Sequence, residues 1–166
     1  MTDDLKQQKN EQPVILAFEW WQDLKKKKGD RANLRRAKTM DEVFFVPAYH
    51  RLYNKLSSTA WRSQKGIALM AGILARIEKH EGGILFAAQM ARPGKTGKGA
   101  RVKGMRFRRL LQNKNRDEVY GPMIRIVQLM DKQANVKDLA HCLYWWNDST
   151  RRKWAFDYYE KAPDED

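Results

Sequence analysis

Apolar residues in this chain recur at intervals of three and four, and nowhere do they alternate at intervals of two over a sustained stretch. The first rhythm lines one face of a helix, whereas a half-buried strand needs a period of two. The clearest case is residues 61–79, where Ile67, Met70, Leu74 and Ile77 form a stripe and Ala68, Ala71 and Ala75 permit a neighbour to approach closely. The pattern predicts an all-α fold.

The same reasoning places the other elements. After a polar, frayed segment 1–12, Pro13 suits the first turn of a helix reaching about residue 28, with Val14, Phe18, Trp21 and Leu24 inward and Lys25, Lys26, Lys27 and Lys28 at the end where the macrodipole favours cations. Gly29 predicts a stop, and Asp30 a cap for a short helix carrying Arg31, Leu34, Arg35 and Arg36. Following a connection at 40–46, Pro47 opens a helix with Tyr49, Leu52, Tyr53 and Leu56 near one face. Gly82 and Gly83 end the 61–79 helix, and short helices are expected at 84–91 and 105–112. The next spans 117–133 with Val119, Ile126, Leu129 and Met130 inward, and Gly121-Pro122 predicts a late start or a kink. Asn135 caps a helix over 136–146, and Ser149 one from 150 to about 161, on which Trp154 and Tyr158 stand a turn apart.

Residues 92–104 hold one proline, four glycines and five basic residues, a composition that predicts a mobile loop. The expected organisation is therefore an N-terminal helical lobe at 1–92, a basic Gly-rich loop at 93–104 and a C-terminal helical lobe at 105–166, together a two-lobed helical bundle.

A chain of 166 residues, 42% hydrophobic, can bury a core, and its net charge of +13 attracts polyanions because neutralised phosphates release condensed counterions. Cys142, the single cysteine, excludes an internal disulfide. The N-terminus lacks the apolar run of a signal peptide, so the cytoplasm is the expected compartment. Apolar stretches at 67–77 and 83–91 fall short of the roughly 20 residues that span a bilayer.

From residue 82 to 116 there is no Asp or Glu, yet Arg92, Lys95, Lys98, Arg101, Lys103, Arg106, Arg108, Arg109, Lys114 and Arg116 are basic. A merely solvated face would mix signs, so the asymmetry predicts a phosphate-tracking loop (Lys95, Lys98, Arg101, Lys103) feeding an Arg-rich helix. Phe107, Leu110 and Leu111 would anchor that helix and leave Arg106, Arg108 and Arg109 exposed. Gly94-Lys95-Thr96 is no Walker loop, because Gln89 stands where the upstream glycine is required. Arg35 and Arg36 form a second basic pair, which Arg51 joins if its helix packs alongside. Arg151, Arg152 and Lys153 open the last helix, where the macrodipole disfavours them, and are expected to have other partners. Of the adjacent pairs Trp20-Trp21 and Trp145-Trp146, one member each should leave the core stripe, and Trp61 is the tryptophan least expected to be buried.

Catalytic and metal constellations fail on spacing. His50, His80 and His141 form no HExxH or CxxC pattern, and Lys79 intrudes between Glu78, His80 and Glu81. Asp41-Glu42 and Asp117-Glu118 sit near helix starts, where negative charge is structurally favoured. The chain is expected to be no enzyme and to need no cofactor.

Read in order, three segments resemble the CasB family, the small subunits of type I-E CRISPR Cascade complexes: Arg31-Ala32-Asn33-Leu34-Arg35-Arg36-Ala37, Val46-Pro47-Ala48-Tyr49 with Arg51-Leu52, and Arg106-Phe107-Arg108-Arg109-Leu110-Leu111. The succession Val136-Lys137-Asp138-Leu139, Leu143-Tyr144-Trp145-Trp146 and Arg152-Lys153-Trp154-Ala155 agrees, so the likeness covers about residues 20–160. It implies a non-catalytic, two-lobed helical subunit that joins the backbone and large subunits of Cascade and pairs with a second copy. In that setting it would hold guide RNA, target DNA and above all the displaced strand through sequence-independent phosphate contacts, stabilising the R-loop in antiviral defence. Arg35, Arg36, Arg51, Arg106, Arg108 and Arg109 are the residues carried over by motif, whereas the loop lysines rest on charge alone. A basic RNA-binding protein of ribosomal type would share the charge without the ordered motifs, and a helical nuclease would need the missing carboxylate and histidine cluster.

Overall fold

The computed structural model describes the backbone of residues 2–165 and the side chains of residues 9–165. Helix α5 (Gln64–Leu74) is its axis. The Ser63 side chain accepts the Gly66 N–H at its start, and every residue from Gly66 to Leu74 is buried. A helix buried all round must be enclosed by neighbours. These are α3 (Met40–Val43), α4 (Pro47–Leu56), α8 (Arg116–Leu129) and α9 (Val136–Tyr144). Small residues allow the enclosure: a Cβ on Gly72 would stand 2.6 Å from the Tyr120 ring.

Outside this centre, α1 (Thr2–Leu24) packs on α4 and α9, and α2 (Lys28–Arg36) on α4. Helix α6 (Phe86–Ala91) packs on α10 (Asp148–Lys161), and α7 (Gly104–Leu111) on α8. The buried residues form one cluster running from Ala17 to Ala162, continuous across position 92. The all-α expectation holds; beside the helices stand two-residue strands, β1 (Lys79–His80) and β2 (Gln133–Ala134), paired in parallel.

Several local expectations are corrected. Helix α1 is formed well before Pro13, which lies buried within it, so tertiary burial outweighs the donor that proline removes. Trp20 and Trp21 are both buried because each indole finds an acceptor on a different partner, Ala48 O at 3.1 Å and Ile77 O at 3.0 Å. Trp61 is buried as well, stacked on Tyr144 at 4.3 Å. The Trp145-Trp146 pair divides as expected, Trp145 being partly exposed. Gly29 and Asp30 belong to the first turn of α2, and Asp30 pairs with Arg51 instead of capping. Residues 40–46 include the short α3, whose Thr39 cap accepts the Glu42 N–H.

Helix α5 stops at Leu74, short of 79, because the chain leaves the helix to build β1. Helix α8 starts at Arg116 and continues through Pro122, so the late start is absent, and Leu129 faces solvent. Asn147, not Ser149, caps α10 by accepting the Thr150 N–H at 3.0 Å. Trp154 packs on Phe86 and Trp146, while Tyr158 stacks on Phe107.

Arginine side chains close four helix ends. Arg31 and Arg35 donate to Ala75 O at 3.1 and 3.2 Å after α5, and Arg76 donates at the end of α2 to Arg35 O and Ala37 O at 2.7 and 2.9 Å. Arg151 reaches Leu111 O of α7 at 2.6 Å, and Arg116 reaches Tyr144 O of α9 at 2.6 Å. The terminal carbonyls of a helix lack intrahelical donors and carry partial negative charge, so each guanidinium meets both needs. Arg151 thus has the partner its unfavourable position predicts, and Lys153 has one in Asp157 at 2.6 Å.

Candidate nucleic-acid interface

Helix α7 has a sharply divided surface. Phe107 and Leu110 are buried, Phe107 stacking on Tyr158 with centroids 3.9 Å apart and meeting Tyr159 edge-on at 5.9 Å. That anchoring turns Arg106, Arg108 and Arg109 to solvent, as the sequence predicts. Arg106 and Arg109, three residues apart, lie over a cleft of about 230 Å³ between α7 and α8, which Leu110, Asn113, Pro122, Arg125 and Ile126 complete. Among the described residues, Arg106, Arg108, Arg109 and Arg125 make no ion pair or hydrogen bond through their side chains. Three guanidiniums converging on one cleft without a carboxylate form a strong attractor for phosphate, since each offers a planar fork of donors.

Arg125 escaped the sequence reading. A signal existed: Val119, Met123, Ile126 and Met130 fill the inward face of α8, which leaves 125 outward, and no acidic residue lies between 119 and 130.

The loop cations stand differently. The expected mobile loop is a turn closed at its base, where Pro93 bridges Ala100, the Arg101 N–H donates to Arg92 O at 2.7 Å and the Val102 N–H to Met90 O at 3.0 Å. Val102 is buried and its carbonyl accepts the Tyr158 hydroxyl at 2.6 Å, so apolar burial fixes a segment whose composition suggested freedom. Lys95 and Arg101 both pair with Asp131, at 3.3 and 2.8 Å. Lys103 donates to Lys98 O at 2.6 Å, and Lys98 is exposed.

The second basic group is engaged within the fold. Arg35 donates to Ala75 O and, at 3.2 Å, to Glu78, a carboxylate that Arg31 and Lys132 also approach. The Arg35 hydrogen bond, with the charges of Lys132, Arg31 and Arg35, holds the Glu78 carboxyl below its ordinary range despite some desolvation. Arg36 is exposed and bonded to Asn33, and Arg51 pairs with Asp30 at the opposite end of α2. Helices α2 and α4 do pack side by side, but Arg51 is turned to that acid.

Groups set aside as structural have structural partners. Glu42 and Glu118 fasten the chain just before their helices, each accepting the N–H of the residue that precedes the cap, Lys38 and Lys114. Glu81 pairs with Arg92, and His80 Nδ1 accepts the Val136 N–H. Burial pushes the Cys142 thiol far up, so it stays protonated. Among the described residues no three His, Cys, Asp or Glu side chains gather as a metal site, and no helix is long and apolar enough to cross a membrane.

No curated protein matches the chain. A subunit in the crystal structure of E. coli Cascade bound to a PAM-containing dsDNA target superposes with a TM-score of 0.69 over 89% of this chain and 94% of that one, at 21% identity, which establishes a shared fold. The sequence pattern of the CRISPR-associated protein Cse2 family matches residues 30–159, most of the chain, and the protein therefore belongs to the Cse2 family.

Proposed function

We propose that this protein is a non-catalytic subunit of a guide-RNA-loaded, Cascade-type complex, in which it holds nucleic-acid backbones and so keeps the R-loop open. The observation that carries the reading is the cleft where Arg106, Arg109 and Arg125 converge with no acidic partner among the described residues. In RNA-guided recognition, base pairing reads the sequence, so an accessory subunit need only grip backbones. Exchange of a DNA duplex for an RNA–DNA hybrid is nearly balanced in free energy, and a few phosphate contacts tip it. Arg108, on the same exposed arc, extends the grip, and the cations not bonded to carboxylates, Arg36, Lys98 and Lys103, add a diffuse field around it. A second copy of the chain and the backbone and large subunits are its expected neighbours.

The test adds the protein to a guide-loaded type I-E complex lacking its small subunit and follows dissociation of target DNA, with R106A/R109A/R125A alongside. Wild type should slow dissociation and the triple variant should not. A protein that neither joins the complex nor slows dissociation would refute the assignment. Slowing by both proteins would remove it from these arginines.

A further inference from the structure

The segment following α10 folds back onto the basic loop. Glu165 Oε1 accepts the Ala100 N–H at 2.6 Å and Oε2 accepts the Gly104 N–H at 3.2 Å. Gly104 is the first residue of α7, so its N–H is one of the donors a helix cannot satisfy internally. The loop backbone is shaped around this anion: Gly99 has φ +69°, and a Cβ there would lie 2.4 Å from Lys103 Nζ and 2.5 Å from Glu165 Oε1. The Ala100 N–H above all, then the Gly104 N–H and the Lys103 ammonium, hold the Glu165 carboxyl below its ordinary range in spite of partial desolvation. A cleft of about 260 Å³, bordered by Pro93, Gly99, Ala100 and residues 161–165, adjoins the contact.

An N–H donor at a helix start, a second N–H converging on it from the preceding loop, a neighbouring ammonium and a glycine that makes room are the parts of a phosphate site, here filled by the chain's own carboxylate. A carboxylate and a phosphodiester present the same pair of oxygens on one central atom. Gly104 and Arg109 are about 8 Å apart along the helix axis, so one strand can touch both. We infer that the Ala100 and Gly104 amides, with Lys103, form a phosphodiester-binding site that Glu165 occupies in the free protein, so that a nucleic-acid backbone must displace this internal carboxylate to bind there. The inference rests on the reading of α7 as a nucleic-acid surface. Its consequence is autoinhibition: if Glu165 holds the site about nine-tenths of the time, removing it tightens binding about tenfold.

The test measures binding of single-stranded oligothymidylate to the full chain by fluorescence anisotropy, comparing wild type, E165Q, E165A and E160Q. Glu160 is exposed, lies outside that cleft and makes the control for net charge. Both Glu165 variants should bind several-fold to tenfold tighter, E160Q should change little, and the Ala100 and Gly104 amide resonances of E165Q should shift when the oligonucleotide is added. Equal tightening by E160Q would reduce the effect to long-range charge and overturn the site. Unchanged or weaker binding by E165Q and E165A would make Glu165 a loop anchor only and overturn it likewise. Where wild type binds through Arg106, Arg109 and Arg125 but the Glu165 variants do not tighten, this inference alone falls. Where no variant binds at all, the α7 reading falls with it.

Discussion

Replacing Arg106, Arg109 and Arg125 together by alanine should change how binding depends on salt more than it changes anything about the fold. Each guanidinium that neutralises a phosphate of a single strand contributes about 0.7 to the slope of log affinity against log salt, so removing three should flatten the slope by about 2. Between about 50 and 200 mM salt that difference amounts to a factor of roughly 20, by which the deficit of the variant shrinks as salt rises. The structure gives a reason to expect the full effect, because none of the three is spent on an ion pair or hydrogen bond among the described residues. Arg35 gives the contrast. Its guanidinium serves Ala75 O and Glu78, so R35A should leave the slope nearly intact and instead cost about 1 kcal/mol of stability, Arg31 still donating to Ala75 O. Anisotropy titrations with oligothymidylate at several salt concentrations, paired with urea unfolding, measure both quantities. An unchanged slope in the triple variant, or an equal change in R35A, would refute the division of arginines into free and engaged.

Other consequences are directly measurable. Phe107→Ala empties the stacked, buried site under α7 and should cost about 3–5 kcal/mol in urea unfolding. Tyr120→Phe removes a 2.6 Å hydrogen bond to Ala37 O, which keeps its Arg76 donor; a loss of about 1 kcal/mol is expected, and no loss would mean that Arg76 alone satisfies the α2 end. His80 and His141 are both held below the ordinary imidazole range, chiefly by burial, with Lys137 and Lys25 adding to the effect at His80 and Lys153 at His141, where Asp138 opposes it. The unfolded chain then binds more protons than the native one below pH 6.5, so their contribution to stability is complete above that pH and is lost as pH falls through the depressed values. Urea midpoints from pH 7.5 to pH 5 should fall, and less so in an H80Q/H141Q variant.

Much of the helical framework was legible because burial imprints itself on local spacing. The Ile67, Met70, Leu74 and Ile77 stripe identified the central helix, and Phe107 with Leu110 oriented the exposed arginines of α7. What escaped depends on partners distant in sequence. Pro13 looks like a helix start until burial against the core is known, and Trp20 looks surplus until Ala48 O appears beside it. The loop at 93–104 reads as free because its anchors, Asp131, Tyr158 and Glu165, come about 30 to 65 residues later. Arg125 is hidden in the sequence because Gly121-Pro122 interrupts the helical pattern four residues before it, so its place on the outer face of α8 follows only once the helix is seen to run through Pro122. Membership of the Cse2 family sets aside a ribosomal-type RNA binder.

The guanidiniums that close α2, α5, α7 and α9 bear on how such a cationic chain can exist at all. A protein that fastened its helices with ion pairs would need an acid for each base and would drift toward neutrality as it grew more stable. Here peptide dipoles, which are not ionisable and add no formal charge, act as counter-groups, alone for Arg76 and Arg116 and beside a carboxylate for Arg35 and Arg151. Cohesion and excess positive charge thus rise together, and a strongly cationic surface need not be traded against the integrity of the bundle beneath it.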